Sequence, residues 1–173
     1  MNRQQTRAAD KAARRAPPAP QRSTGNPRAA FSLVRSIRAA NSNEPLEASQ
    51  LTDLALGYHG ALAALTSGAG TWDDCNTLAC ASNIALLLCE YGLGADEQGE
   101  VQAAQEAIFR MTNRGRASRR FVLTGVEIRS LQGLLELHDL QLAHPACTEG
   151  VIVAALSKIR ARKGQGNVLE VAT

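Results

Sequence analysis

Residues 71–97 read TWDDCNTLACASNIALLLCEYGLGADE. Thr71 followed three residues later by Asp74 has the form of a capping box, in which a hydroxyl and a carboxylate each take up a free backbone N–H at a helix start. Asp73 and Asp74 also complement the positive end of the helix dipole. From there Cys75, Leu78, Ala79, Ser82, Ala85, Leu86 and Cys89 recur at the three-four spacing of one helical face. Ile84, Leu87 and Leu88 then widen the stripe until the second half is apolar nearly all round, the pattern of a helix buried centrally in a bundle. Gly92, where a left-handed residue is wanted, and Gly94 end it. The stretch predicts a helix from about Trp72 to Tyr91. Two or three neighbours bury such a helix poorly, which motivates the expectation of a homo-oligomer.

The rest of the chain agrees with a helical core. Of 173 residues, 45% are hydrophobic but only 3% aromatic, so the core is built of Leu, Ala, Val and Ile. Alanine and leucine favour helix, and the residues that favour sheets are scarce. Before the quoted stretch, Ser42 or Asn43 is expected to cap a first helix, with Pro45 in its first turn. Its apolar stripe is Leu51, Leu54, Ala55, Tyr58, Leu62 and Leu65, and Ser67-Gly68-Ala69-Gly70 stops it. After the quoted stretch a helix fits about Asp96 to Asn113, followed by a linker, NRGRASRR. Thr124 and Glu127 cap the next helix, with Ile128, Leu131, Leu135, His138 and Leu142 inward and Pro145 closing it. A last helix runs from Thr148 to about Arg162, with Ile152, Ala155 and Ile159 inward. The expected fold is all-α: a compact bundle of four to five helices.

Charge divides the chain. Residues 1–45 hold nine Lys/Arg against Asp10 and Glu44, a net +7, while residues 46–173 hold ten against fourteen acids, a net −4. Pro17, Pro18, Pro20, Pro27 and Gly25 punctuate the basic part. The expected organisation is a disordered basic arm at 1–45 with a possible short helix at 31–40, a helical body at 46–163 and a tail at 164–173. An arm of this kind meets a polyanion or an acidic partner surface, or is simply solvated. The N-terminal MNRQQTRAADKAARRAPP lacks the apolar region of a secretory signal. The longest nearly uncharged run, Cys75 to Cys89, has 15 residues, where a membrane span needs roughly 20. No membrane partner and a cytoplasmic location are expected.

The candidate chemistry is thin. Cys75 and Cys89 share a face but are fourteen residues apart, roughly 21 Å along a helix, and Cys75 and Cys80 differ by about 140° around its axis. Neither pair can chelate a metal or close a disulfide from one helix, so these thiols read as small core hydrophobes. His138, Asp139, His144 and Cys147 offer a second cluster for a metalloprotein or an enzyme. His138 and His144 are six residues apart, on different helical faces, and only a break near Pro145 folds His144 and Cys147 back. GAGTWDD has neither a dinucleotide nor a phosphate-loop pattern, and no hydrolase, zinc-protease or calcium-loop motif is present. The expectation is a non-enzymatic protein with no cofactor, no metal and no catalytic residue.

Arg110, Arg114, Arg116, Arg119 and Arg120 fall within eleven residues. Guanidinium groups bind phosphate through paired, charge-assisted hydrogen bonds. With Arg14 and Arg15 of the arm, they are the expected contacts for a nucleic-acid backbone or another anionic partner. Such binding is independent of sequence and steeply salt-dependent. The alternative is a solvated loop whose arginines pair with the body's own acids, such as Asp96, Glu97 and Glu100.

Two segments, TWDDCNTLACASNIALLLCEYGLG at 71–94 and LTGVEIRSLQGLLELHDLQLA at 123–143, carry a resemblance. With the Gly-Xaa-Gly-Thr turn at 68–71, Asn83-Ile84-Ala85-Leu86 and Leu137-His138-Asp139, the chain resembles uncharacterised small helical proteins encoded by phages and plasmids of proteobacteria, over residues 50–160. The resemblance implies a bacterial or phage cytoplasmic context and an accessory role, and transfers no catalytic residue. The function expected is an accessory interaction module of a phage or mobile element that binds a macromolecular partner through its helical body and basic arm. A nucleic-acid-binding protein is the alternative.

Overall fold

The Thr71 hydroxyl accepts the Asp74 N–H at 3.4 Å, and the Asp74 carboxylate accepts the Thr71 N–H at 2.7 Å. The capping box read from the sequence therefore opens the central helix. A computed structural model describes residues 42–163 and Leu169. The basic arm, its short helix at 31–40 and most of the expected tail lie outside the described residues. Among the described residues there are five α-helices and no strand: α1 Ala48–Ser67, α2 Trp72–Glu90, α3 Gln98–Ser118, α4 Gly125–Ala143 and α5 Glu149–Arg162. A 3-10 turn, Ala95–Glu97, leads into α3. None of these helices is long and apolar enough to cross a membrane.

The helix α2 is the hub, packing against α1, α3, α4 and α5, whereas α5 packs against α2 alone among the helices. Leu78, Ala85, Leu88, Cys75 and Cys89 of α2 are buried together with Leu65, Ile108, Met111, Leu131 and Leu135 of its neighbours. Four neighbours within one chain cover the face whose burial motivated a second copy. The homo-oligomer expectation loses that basis. Leu54, expected in the inward stripe of α1, is 42% exposed, because α1 and α5, although linked by the Gln50–Glu149 side-chain hydrogen bond, do not pack closely along their lengths.

Two boundaries differ from the sequence reading. The α1 cap is Glu47, not Ser42 or Asn43. Gln50 Oε1 accepts the Glu47 N–H at 2.7 Å. Pro45 lies outside the helix, bridged to Thr148, while the carbonyls of Ser42 and Glu44 accept the N–H groups of Gly150 and Glu149. The segment before α1 thus satisfies the unpaired N–H groups at the start of α5, a demand every helix N-terminus makes, and is held extended by it.

The second difference is larger. The linker expected at NRGRASRR is the last part of α3, which continues to Ser118. Gly115 reads as a helix breaker in sequence, but here it is buried under the Phe121 ring. Its missing side chain makes room for tertiary packing, and that packing outweighs its low helix propensity of about 1 kcal/mol. Phe121 bridges to Gly70 and packs tilted against Trp72, 4.6 Å between ring centroids, tying the α3–α4 connection to the α1–α2 turn.

Candidate functional site

The five arginines expected on a loop are carried by the end of α3 and the residues just after it. Arg110 pairs with Glu106 one turn earlier, at 2.9 Å. Arg114 forks both oxygens of Glu127, at 2.7 and 2.5 Å, and donates to the Val122 carbonyl at 3.2 Å. Glu127 is buried, 4% exposed. Burial opposes its ionisation, but hydrogen bonds from Arg114 and from the Thr124 backbone and hydroxyl pull its pKa below the usual carboxylate range. Arg114 is a fastener between α3 and α4. The acids engaged by Arg110 and Arg114 are Glu106 and Glu127, not Asp96, Glu97 or Glu100. Arg116 lies over the Trp72 ring at 5.6 Å, a cation–π placement.

Arg119 and Arg120 differ from these. Both are exposed, and among the described residues neither side chain makes an ion pair. Arg119 terminates α3 at φ 55°, ψ 26° and is the only non-glycine residue with positive φ among those described. Together with Arg116 they sit at the negative end of the α3 dipole, which favours cations. Arg14 and Arg15 lie outside the described residues.

The cluster His138, Asp139, His144 and Cys147 is dispersed. His138 is buried on α4, and burial drives its pKa down to about 4, against the Gln141 hydrogen bond and the charge of Asp139. Asp139 accepts hydrogen bonds from the Tyr58 hydroxyl and from His59, the latter at 3.0 Å. Burial first, then that bond and the Asp139 charge, raise the Tyr58 pKa. His144 caps α4 at the surface, its Nδ1 accepting the Ala146 N–H at 3.1 Å. Cys147 is buried, its thiol pushed up to about 11 by burial. Among the described residues, no three His, Cys, Asp or Glu side chains converge as a metal would need.

The cysteines of α2 divide. Cys75 is enclosed against Met111, Sγ to Sδ 3.9 Å, with its pKa raised to about 11 by burial and by the charge of Asp74. Cys89 is buried and receives the Gln141 amide at 3.3 Å. Cys80, read as core, is exposed. Surrounding carbon still raises its pKa, with Arg160 opposing.

Cys80 lines a feature with no signature in the sequence, a groove of about 300 Å³. Its walls come from α1 (Asp53, Leu54, Gly57, Tyr58), α2 (Thr77, Cys80, Ala81, Ile84), α4 (His138, Leu142) and α5 (Ile152). The lining is almost wholly carbon. It opens where α1 and α5, tied near their N-terminal ends by the Gln50–Glu149 hydrogen bond, pass over α2 without packing together, a spacing that no local pattern encodes.

Comparison of the chain with family models, with curated proteins and with solved structures finds no match.

Proposed function

We propose that this chain is a non-enzymatic accessory module that binds an anionic macromolecular partner through the C-terminal end of α3, with the basic arm adding charge. On the resemblance of residues 50–160 to phage- and plasmid-encoded helical proteins, its setting is a phage or mobile element in the bacterial cytoplasm. The supporting observation is Arg119. A left-handed backbone costs an L-residue about 1–2 kcal/mol, and glycine is the residue that ends helices there without that cost. An arginine held in that conformation, φ 55°, next to exposed Arg120, points to a side chain kept for contact. Arg110 and Arg114 are committed to Glu106 and Glu127 and Arg116 lies over Trp72, so the contact residues proposed are Arg14, Arg15, Arg119 and Arg120.

The partner class proposed is an acidic protein surface, since few arginines at the end of α3 remain for tracking a phosphate backbone. The test is affinity capture from cells that make the chain natively, with and without nuclease, using the wild type and an Arg119→Gly/Arg120→Ala variant. A partner that resists nuclease and is lost with the variant is the expected result. Capture unchanged in the variant overturns the site. Capture abolished by nuclease favours the nucleic-acid reading. In that case the double variant lowers the slope of log affinity against log salt by about 1.8, the value for two phosphate contacts.

A further inference from the structure

The Gln141 Nε2 donates to the backbone carbonyls of Ala85 at 3.1 Å and Leu93 at 2.8 Å. Those two acceptors fix the amide orientation, so Oε1 is the atom that faces His138 Nδ1, at 3.3 Å. An amide oxygen only accepts, so the proton of the neutral imidazole resides on Nδ1. His138 Nε2 is left as a bare acceptor.

Among the described residues Nε2 has no partner. Among the described residues no fully enclosed side-chain nitrogen or oxygen lacks one either, so Nε2 reaches accessible space, and the groove is a space that His138 lines. The residue itself is 3% exposed. Neither hydroxyl in the groove wall serves it: Tyr58 donates to Asp139, and Thr77 donates to the Asp73 carbonyl at 2.8 Å.

We propose that the groove between α1 and α5 is a binding site for a small, mostly carbon molecule carrying one O–H or N–H donor, with His138 Nε2 as the acceptor. A simple phenol has that chemistry. The volume, about 300 Å³, stands at the small end of ligand pockets, which span roughly 300–1,000 Å³, and an apolar wall with one placed polar atom is their usual construction. Tyr58 presents its ring to the same space, tilted against His138 at 5.4 Å, and Asp139 keeps its hydroxyl turned to a partner of its own. The low pKa keeps the imidazole neutral through the physiological range, so the acceptor persists there.

The test uses the full chain and two probes of nearly equal shape, p-cresol and toluene, followed by NMR titration with ¹⁵N-labelled histidine. In the free protein His138 shows the Nδ1–H tautomer. p-Cresol binds on the order of millimolar, as expected for a ligand of so few atoms, and shifts the Nε2 resonance. Toluene binds about tenfold more weakly, the ratio that one net hydrogen bond supplies, and leaves that resonance in place. Alkylating Cys80 with N-ethylmaleimide blocks the groove and abolishes binding of both. Equal affinity for the two probes overturns the role of Nε2. No binding of p-cresol, or binding that survives Cys80 alkylation in a protein that keeps its folded spectrum, overturns the site.

Discussion

The Phe121 ring lies on the bare backbone of Gly115: a Cβ built there stands 2.2 Å from Phe121 Cδ1 and 2.5 Å from Cε1. A rigid ring, itself packed against Trp72, cannot move aside as the end of a flexible chain would. Gly115→Ala therefore destabilises the protein by about 1–3 kcal/mol, the cost of overpacking, although alanine is the better helix former by about 1 kcal/mol. Urea denaturation at neutral pH measures it. Gly99, whose added Cβ meets nothing within 4 Å, is the control, and Gly99→Ala is neutral or stabilising.

Arg114 and Glu127 fasten α3 to α4. Arg114→Ala leaves a buried carboxylate without its fork and costs about 2–3 kcal/mol, discounted because the Arg114 side chain is 45% exposed. The folded pKa of Glu127 is lowered, so its stabilisation is present above the ordinary carboxylate range and is lost as pH falls through the lower, folded value. The loss of stability on acidification is smaller in Arg114→Ala than in the wild type. Denaturation midpoints at pH 7 and pH 3.5 for the two proteins decide it.

At the far end of α2, Glu90 holds Arg162 at 2.8 Å and Lys158 at 2.9 Å. The Arg162 and then the Lys158 hydrogen bonds bring its pKa to about 2. Its contribution is therefore complete above about pH 4.5 and disappears as pH approaches 2. Glu90→Gln costs about 1 kcal/mol, the upper range for a partly exposed pair. Because α5 packs on α2 alone among the helices, the change is local. Amide exchange accelerates in Glu149–Arg162 before it does in α3 or α4.

Three of the four cysteines are enclosed and one is open. Under native conditions a thiol reagent modifies one cysteine per chain, and peptide mapping places it at Cys80. Cys75, Cys89 and Cys147 react only at the rate of unfolding. Cys80→Ser removes the fast phase and changes stability by less than about 0.5 kcal/mol, as at an exposed site. Two fast-reacting thiols contradict the packing described for α2.

The capping boxes at Thr71 and Thr124, the start of α5 at Thr148, the end of α2 before Gly92 and the stop after Ala143 are all local events. Each needs only a hydroxyl or a carboxylate within one turn, a glycine free to take positive φ, or a proline just beyond, and each was legible. The end of α3 was not. Arginines around a glycine look like a loop until a distant phenylalanine makes that glycine a packing surface. The Glu47 cap is hidden because Pro45 has the form of a first-turn residue, whereas it pairs at the start of α5, a hundred residues later in the chain.

The sequence by itself determined that the described body is helical, where most helices begin and end, and that residues 75–89 form its buried centre. Periodicity and capping are short-range and suffice for that. Only the tertiary structure decided that α2 finds four neighbours in its own chain, that Arg114 is spent on Glu127 while Arg119 and Arg120 stay open, and that α1 and α5 part over His138. Those outcomes depend on how whole helices cross. Crossing is set by the summed contacts of side chains distant in sequence, and no window along the chain contains them.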